Sequence, residues 1–169
     1  LSEYSGTQSW PSCAFSNHDV VRVISRWGGD EHQNSADLAK MLMAALHSLR
    51  GSTFLYQGEE LGLPEAELEY DQIQDPWGKF LYPEWQGSDG CRTPMVWDNE
   101  EQNCGFSNAE ATWLPIPEEH NKRSVSEQEK DQSSVLNFTR SFLKWIKTCH
   151  PLIVGDIELY DYDSDNVLA

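Results

Sequence analysis

The sequence predicts an α/β fold built on parallel strands. Two observations carry this: short runs of strand character, at residues 11–16 and 52–56, flank one helical pattern, and a second amphipathic helix follows a long polar excursion. Strand, helix and strand at this spacing make a βαβ unit, whose two strands must run parallel. The chain has 169 residues, enough to bury one ordinary core.

Taken in order, residues 10–19, WPSCAFSNHD, read as a short strand ending in polar residues, followed by a loop to the Gly28-Gly29 turn. Asn34 or Ser35 can cap the next helix, with Asp37 in its first turn facing the positive end of the dipole. That helix is predicted over 36–49, with Leu38, Leu42, Ala45 and Leu49 as its apolar stripe and Gly51 just past its end. The run STFLY at 52–56 is the second strand, broken by Gln57-Gly58. Residues 57–132 form an excursion rich in Pro, Gly, Asn and Glu, too long to be a plain connector. A helix is predicted over 132–150, with Val135, Phe138, Phe142, Trp145 and Ile146 on one face and Pro151 as its stop. The segment GDIELYDYD near the end alternates apolar and polar residues like a half-exposed strand.

Composition excludes several classes of function. Acidic residues outnumber basic ones 28 to 12, a formal charge of −16. A polyphosphate partner needs clustered Lys and Arg, so nucleic acid is excluded and an anionic membrane surface is disfavoured. No apolar run reaches the roughly 20 residues that span a bilayer. Cys13, Cys91, Cys104 and Cys149 are widely spaced, with no C-x-x-C pair. That argues against a zinc site and for four reduced thiols, hence a cytoplasmic location. Trp is abundant, at seven residues; Trp suits sugar faces and cores alike.

Three constellations carry chemistry. Asn17, His18 and Asp19 directly follow the first strand. In barrels of βα units the C-terminal strand ends hold the site; a carboxylate and an imidazole there can bind sugar hydroxyls, or the three residues can simply cap a turn. The segment Tyr56 to Gly62 follows the second strand, and Glu60 is read as a carboxylate that orients an Arg or a backbone amide. The third, Asp89 to Trp97, sets Arg92 in a loop framed by Gly and Pro. Its fork can meet a carboxylate or hydroxyls, or it can form a surface ion pair.

Together, FSNHDVVRVISRWG, FLYQGEELGLPEAELEYDQIQDPWG, GSDGCRTPMVWD and GFSNAEATWLPIPEEH occur in the order and at the separations of the α-amylase superfamily of glycoside hydrolases. The chain most resembles its α-glucosidase and oligo-1,6-glucosidase branch, over essentially its whole length. The resemblance implies a (β/α)8 TIM barrel of which the chain supplies the C-terminal portion, about strand 7 to helix 8. Residues 1–150 would belong to the barrel, and 151–169 would begin a C-terminal β-domain. The family's nucleophilic Asp and general-acid Glu follow strands that this sequence lacks.

The resemblance also assigns roles. Asp19 falls on the transition-state stabiliser, and His18 on the histidine that binds glycone hydroxyls. Arg92 matches the arginine of the family's R-D-G-x-R-T-P pattern, which holds the non-reducing glucose. Asn17 belongs to the same group, and Phe106 would line the substrate entrance or pack in the core. Ser88 replaces the pattern's first Arg, which puts one loop-fixing ion pair in doubt, and Val21 stands where many relatives have Pro. The implied activity is retaining hydrolysis of terminal α-linked glucose from an oligosaccharide or disaccharide, with no organic or redox cofactor and no metal assigned. Two alternatives are a transglucosidase or sucrose isomerase on the same scaffold, and a non-catalytic barrel protein like the heavy chains of amino-acid transporters. Retention of Asn17, His18, Asp19 and Arg92 disfavours the last.

Overall fold

The computed structural model describes residues 9–155 and 157. Its two strands, β1 (Ser12–Ala14) and β2 (Ser52–Phe54), pair in parallel with Cys13 opposite Thr53. Both are shorter than the runs predicted. The crossover between them holds two helices where the sequence suggested one. The helix α1 spans Val23–His32 and is broken at Gly29, whose φ of 55° and ψ of −165° no helix contains. The predicted loop here is therefore corrected to a helix. Its first turn buries Val23 and Ile24, and Ser16 Oγ accepts the Val23 N–H at 2.9 Å. Five residues before a Gly-Gly pair give too little periodicity to be seen as a helix.

The second crossover helix, α2 (Ala36–Ser48), starts as expected, with Ser35 Oγ accepting the Leu38 N–H. Its buried stripe is Ala39, Leu42, Met43 and Leu46. The predicted stripe is thus turned by about one residue: Leu42 is buried, Leu38 and Leu49 are half-buried and Ala45 is exposed. Met43 takes the place given to Ala45, because α2 packs against both α1 and the last long helix.

The excursion folds as short pieces. These are α3 (Pro76–Leu81), α4 (Glu118–Asn121), α5 (Val125–Lys130) and three single 3-10 turns. Two small apolar clusters pin it down. Leu61, Leu63, Val96, Cys104 and Leu136 form one; Ala66, Leu68, Ile73 and Leu114 form the other. The helix α6 spans Val135–Ile146 and is capped by Ser134 Oγ on the Asn137 N–H. It buries Val135, Leu136 and Thr139, while Phe138, Phe142 and Trp145 stack in a ladder beside that face and Trp145 is exposed. Pro151 does not close α6. It sits in the first turn of α7 (His150–Val154), where a missing N–H costs nothing. Most of the predicted GDIELYDYD strand lies outside the described residues.

One charged side chain sits at the centre. Arg22 is 1% exposed. Its Nη1 donates to the Gln57 carbonyl at 2.7 Å and its Nη2 to the Cys91 carbonyl at 3.0 Å. Its backbone N–H donates to Glu65 Oε2 at 2.8 Å, and its guanidinium lies over the Tyr56 ring. Gly58 has φ 90°, and a Cβ there would come within 2.7 Å of Nη1. Removing a buried charge that is hydrogen-bonded through Nη1 and Nη2 is expected to cost roughly 3 kcal/mol or more. Arg22→Met should therefore lower the denaturant midpoint steeply; a loss below about 1 kcal/mol would show that the three loops it joins are held by other contacts.

Candidate active site

The strand ends set the site. Asn17, His18 and Asp19 follow β1, and Asn17 Oδ1 accepts the Asp19 N–H at 2.8 Å, which closes a tight polar turn. Asn17 thus shapes the turn that presents Asp19. The Asp19 carboxylate meets two side chains. Oδ1 accepts from Arg92 Nη2 at 2.8 Å, and Oδ2 lies 3.2 Å from His18 Nε2. Arg92 Nε donates to the His18 carbonyl at 2.7 Å. The structure therefore brings together three of the predicted residues from segments more than 70 positions apart.

Arg92 serves more carboxylates than one. Its Nη1 lies 3.8 Å from Asp89 Oδ1 and 4.0 Å from Asp75 Oδ2. Asp89 is fully buried, and its Oδ2 accepts the N–H groups of Gln74 and Asp75 at 2.6 and 2.7 Å. Burial works against the charge on Asp75. The N–H groups of Ser88, Gly78 and Trp77, with Arg92 nearby, nevertheless hold its carboxyl below the usual carboxylate range. Ser88, where the family pattern has Arg, donates its hydroxyl to the Asp19 carbonyl at 3.3 Å and its N–H to Asp75 Oδ2. It ties its own loop to those of Asp19 and Asp75 by hydrogen bonds instead of by a side-chain ion pair. The Cys91 thiol donates to the Ser88 carbonyl, and burial pushes it up to about 11, which disfavours the thiolate.

Beside Arg92 opens a cleft of about 330 Å3, walled by Gln57, Glu60, Arg92, Thr93, Pro94, Met95, Trp97 and Phe106. Phe106 is 52% exposed and lines this cleft. Trp97 is equally exposed, and the sequence alone assigns it no role. Glu60 Oε2 accepts the Gly58 N–H at 2.7 Å, the amide-orienting role expected of it. Burial raises its pKa, as it does for Glu59 and Glu65. Trp77 is exposed and packs edge-on against Phe80. Among the described residues no three His, Cys, Asp or Glu side chains group as a metal site, and no helix is long and apolar enough to cross a membrane. All four cysteines are free.

Behind the cleft wall sits His120, 0% exposed, and sequence reasoning gave it no role. Its Nε2 lies 2.8 Å from the Pro64 carbonyl and its Nδ1 3.3 Å from Thr93 Oγ1. Burial, then the nearby Arg22 charge, lowers its pKa to about 4. Between pH 6.5 and about 4 the unfolded chain therefore takes up a proton here that the folded chain refuses. The stability contributed by neutral His120 is present above pH 6.5 and is lost as pH falls toward 4. The buried glutamates act in the opposite sense, so the wild type must be compared with His120→Gln. Over that window the wild type is expected to lose up to about 3 kcal/mol relative to the variant. Urea unfolding at stepped pH checks this, and a constant difference would mean that His120 titrates as if in water.

The catalytic domain of the α-amylase family matches residues 2–155. A probable α-glucosidase of Rhizobium meliloti (strain 1021) is 48% identical over 154 residues, 91% of this chain and 27% of the relative. An oligo-1,6-glucosidase of Heyndrickxia coagulans is 32% identical over 153 residues, 80% of this chain and 27% of the relative. Among solved structures, an α-glucosyl transfer enzyme superposes with a TM-score of 0.90 at 45% identity, covering 98% of this chain and 30% of that one. The chain thus spans about a third or less of the length of these proteins. The paired parallel strands, the helical crossover and the match in sequence agree: the chain belongs to the α-amylase family of catalytic domains, which are built as TIM barrels.

Proposed function

We propose that this chain supplies the transition-state-stabilising and glucose-holding side of a retaining α-glucosidase. The observation that carries the reading is the Asp19–Arg92–His18 cluster at the end of β1, opening beside the aromatic cleft. On this reading β1 and β2 are strands 7 and 8 of a (β/α)8 barrel, α6 is its eighth helix, and residues 151–169 lead into a C-terminal β-domain. The nucleophile and the acid/base come from barrel strands outside this sequence.

Retention requires those two carboxyl groups roughly 5–5.5 Å apart, one attacking C1 and the other protonating the leaving oxygen. Asp19 then faces the positive charge that grows on the ring. Held by Arg92 at one oxygen, it stays aimed, so little reorganisation is needed as the charge develops. His18 and Arg92 meet glucose hydroxyls in the ground state as well. Phe106 and Trp97 offer apolar faces to the sugar beyond the scissile bond. The substrate is an α-glucoside oligosaccharide or disaccharide. A second reading, α-glucosyl transfer to another sugar, is favoured by the name of the 45%-identical transfer enzyme. Free glucose against transfer products at high maltose separates the two.

The 169-residue chain alone is expected to give no turnover of p-nitrophenyl α-glucoside. In the complete enzyme Asp19→Asn should lower kcat by about 100-fold or more while shifting KM only about threefold, because its interaction strengthens in the transition state. Arg92→Ala should change both constants. Steady-state kinetics on both variants, with melting curves to confirm folding, checks the assignment. A near-normal kcat for Asp19→Asn would remove this end of the chain from the glucose pocket.

A further inference from the structure

The cleft wall that carries Arg92 is backed by a segment with no part in the proposed chemistry. Residues 93–98 belong to no helix or strand, and each end of this stretch is fixed from behind. Val125 and Ser126 donate their N–H groups to the carbonyls of Val96 and Trp97 at 3.1 and 2.9 Å. At the other end Thr93 is 1% exposed, its carbonyl takes a long hydrogen bond from Gln57 Nε2, and its hydroxyl meets His120 Nδ1.

The partners fix the protons. The Pro64 carbonyl can only accept, so His120 Nε2 carries the hydrogen, and Nδ1 is then left as an acceptor. The Thr93 hydroxyl must therefore donate to Nδ1. A fully buried imidazole thus locks one rotamer of the residue next to Arg92, and it reaches across from α4 to do so. We propose that His120 is a positioning residue: acting through the Thr93 hydroxyl, it sets the backbone at Arg92 and so the fork that holds Asp19. Burial keeps the ring neutral, which preserves the acceptor on Nδ1.

The inference rests on the glucosidase reading and is tested in the complete enzyme, with p-nitrophenyl α-glucoside at neutral pH. His120→Gln keeps a donor near the Pro64 carbonyl and loses the acceptor for Thr93; His120→Asn does the reverse. Thr93→Val is isosteric and removes only the hydroxyl. Loss of one such bond is worth about 1 kcal/mol, or about fivefold. Thr93→Val and His120→Gln should each lower kcat/KM about five- to tenfold, and the double variant should fall no further, because both break the same link. His120→Asn should retain more kcat/KM than His120→Gln even where its melting temperature is lower.

Multiplicative effects in the double variant, or a His120→Gln enzyme with lowered melting temperature and intact kcat/KM, would reduce His120 to a packing residue. If His120→Gln does not fold, Thr93→Val decides alone, and an unchanged kcat/KM overturns the proposal. A wild-type enzyme without glucosidase turnover refutes the underlying reading instead, so the two failures are told apart.

Discussion

The buried guanidinium of Arg22 is the constraint on which the arrangement depends. A charge out of water is costly unless hydrogen bonds replace its hydration, and here Nη1 and Nη2 find acceptors on two different loops, the carbonyls of Gln57 and Cys91, while Nε is left unpaired. Glu65 adds a third connection through the Arg22 N–H. These loops follow β1 and β2 or carry Arg92, so the same bonds that hold Arg22 bring His18, Asp19 and Arg92 within reach of one another. Gly58 is required for this: its positive φ turns the chain, and the missing Cβ leaves room for Nη1. The two strands, three residues each, are too short to align these loops alone.

Carboxylates do for the irregular excursion what ladders do for a sheet. Asp89 and Asp75 take backbone N–H groups from residues 74, 75, 77, 78 and 88, donors that a loop would otherwise leave unmet. Several acids in one place repel, and Arg92 lies among three of them. Its positive charge therefore has two roles, loop closure and presentation of Asp19. Part of the excess of acidic residues is accounted for in this way rather than as a solvated surface.

Much of this was legible in the sequence, and the failures have physical causes. The parallel pair, the capped helix at 36–48 and the location of Asp19 at a strand end follow from periodicity and cap chemistry, which are local. The phase of the α2 stripe was misjudged because Met43 and Ala45 differ little in apolar character, and only packing against two neighbours decides between them. The helix α1 was missed because Gly28-Gly29 reads as a turn, whereas Gly28 lets Leu38 come close to the backbone. Pro151 reads as a stop and serves as a start, since both roles use the same missing N–H. Arg22 and His120 were not singled out because their partners lie between 27 and 69 residues away. A charged or polar side chain looks like surface until its acceptors are known.

The exposed and buried members of the site divide the work by environment. Asp19 and His18 are more than half exposed beside Arg92, and the Asp19 charge is screened there. Arg92 is largely covered, and Asp89 and Thr93 behind it are closed from solvent. Electrostatic interactions strengthen as water is excluded. The firm part of the cluster is therefore the Arg92 side, backed by Asp75, Asp89, Thr93 and His120. Asp19 is the adjustable part, steered by its bond to Arg92 and by the Asn17 turn. On the proposed reading this order is the useful one. A carboxylate that must meet a transient positive charge gains from a rigid cation behind it that fixes its direction. A sugar that closes the cleft then removes the water that weakens its field.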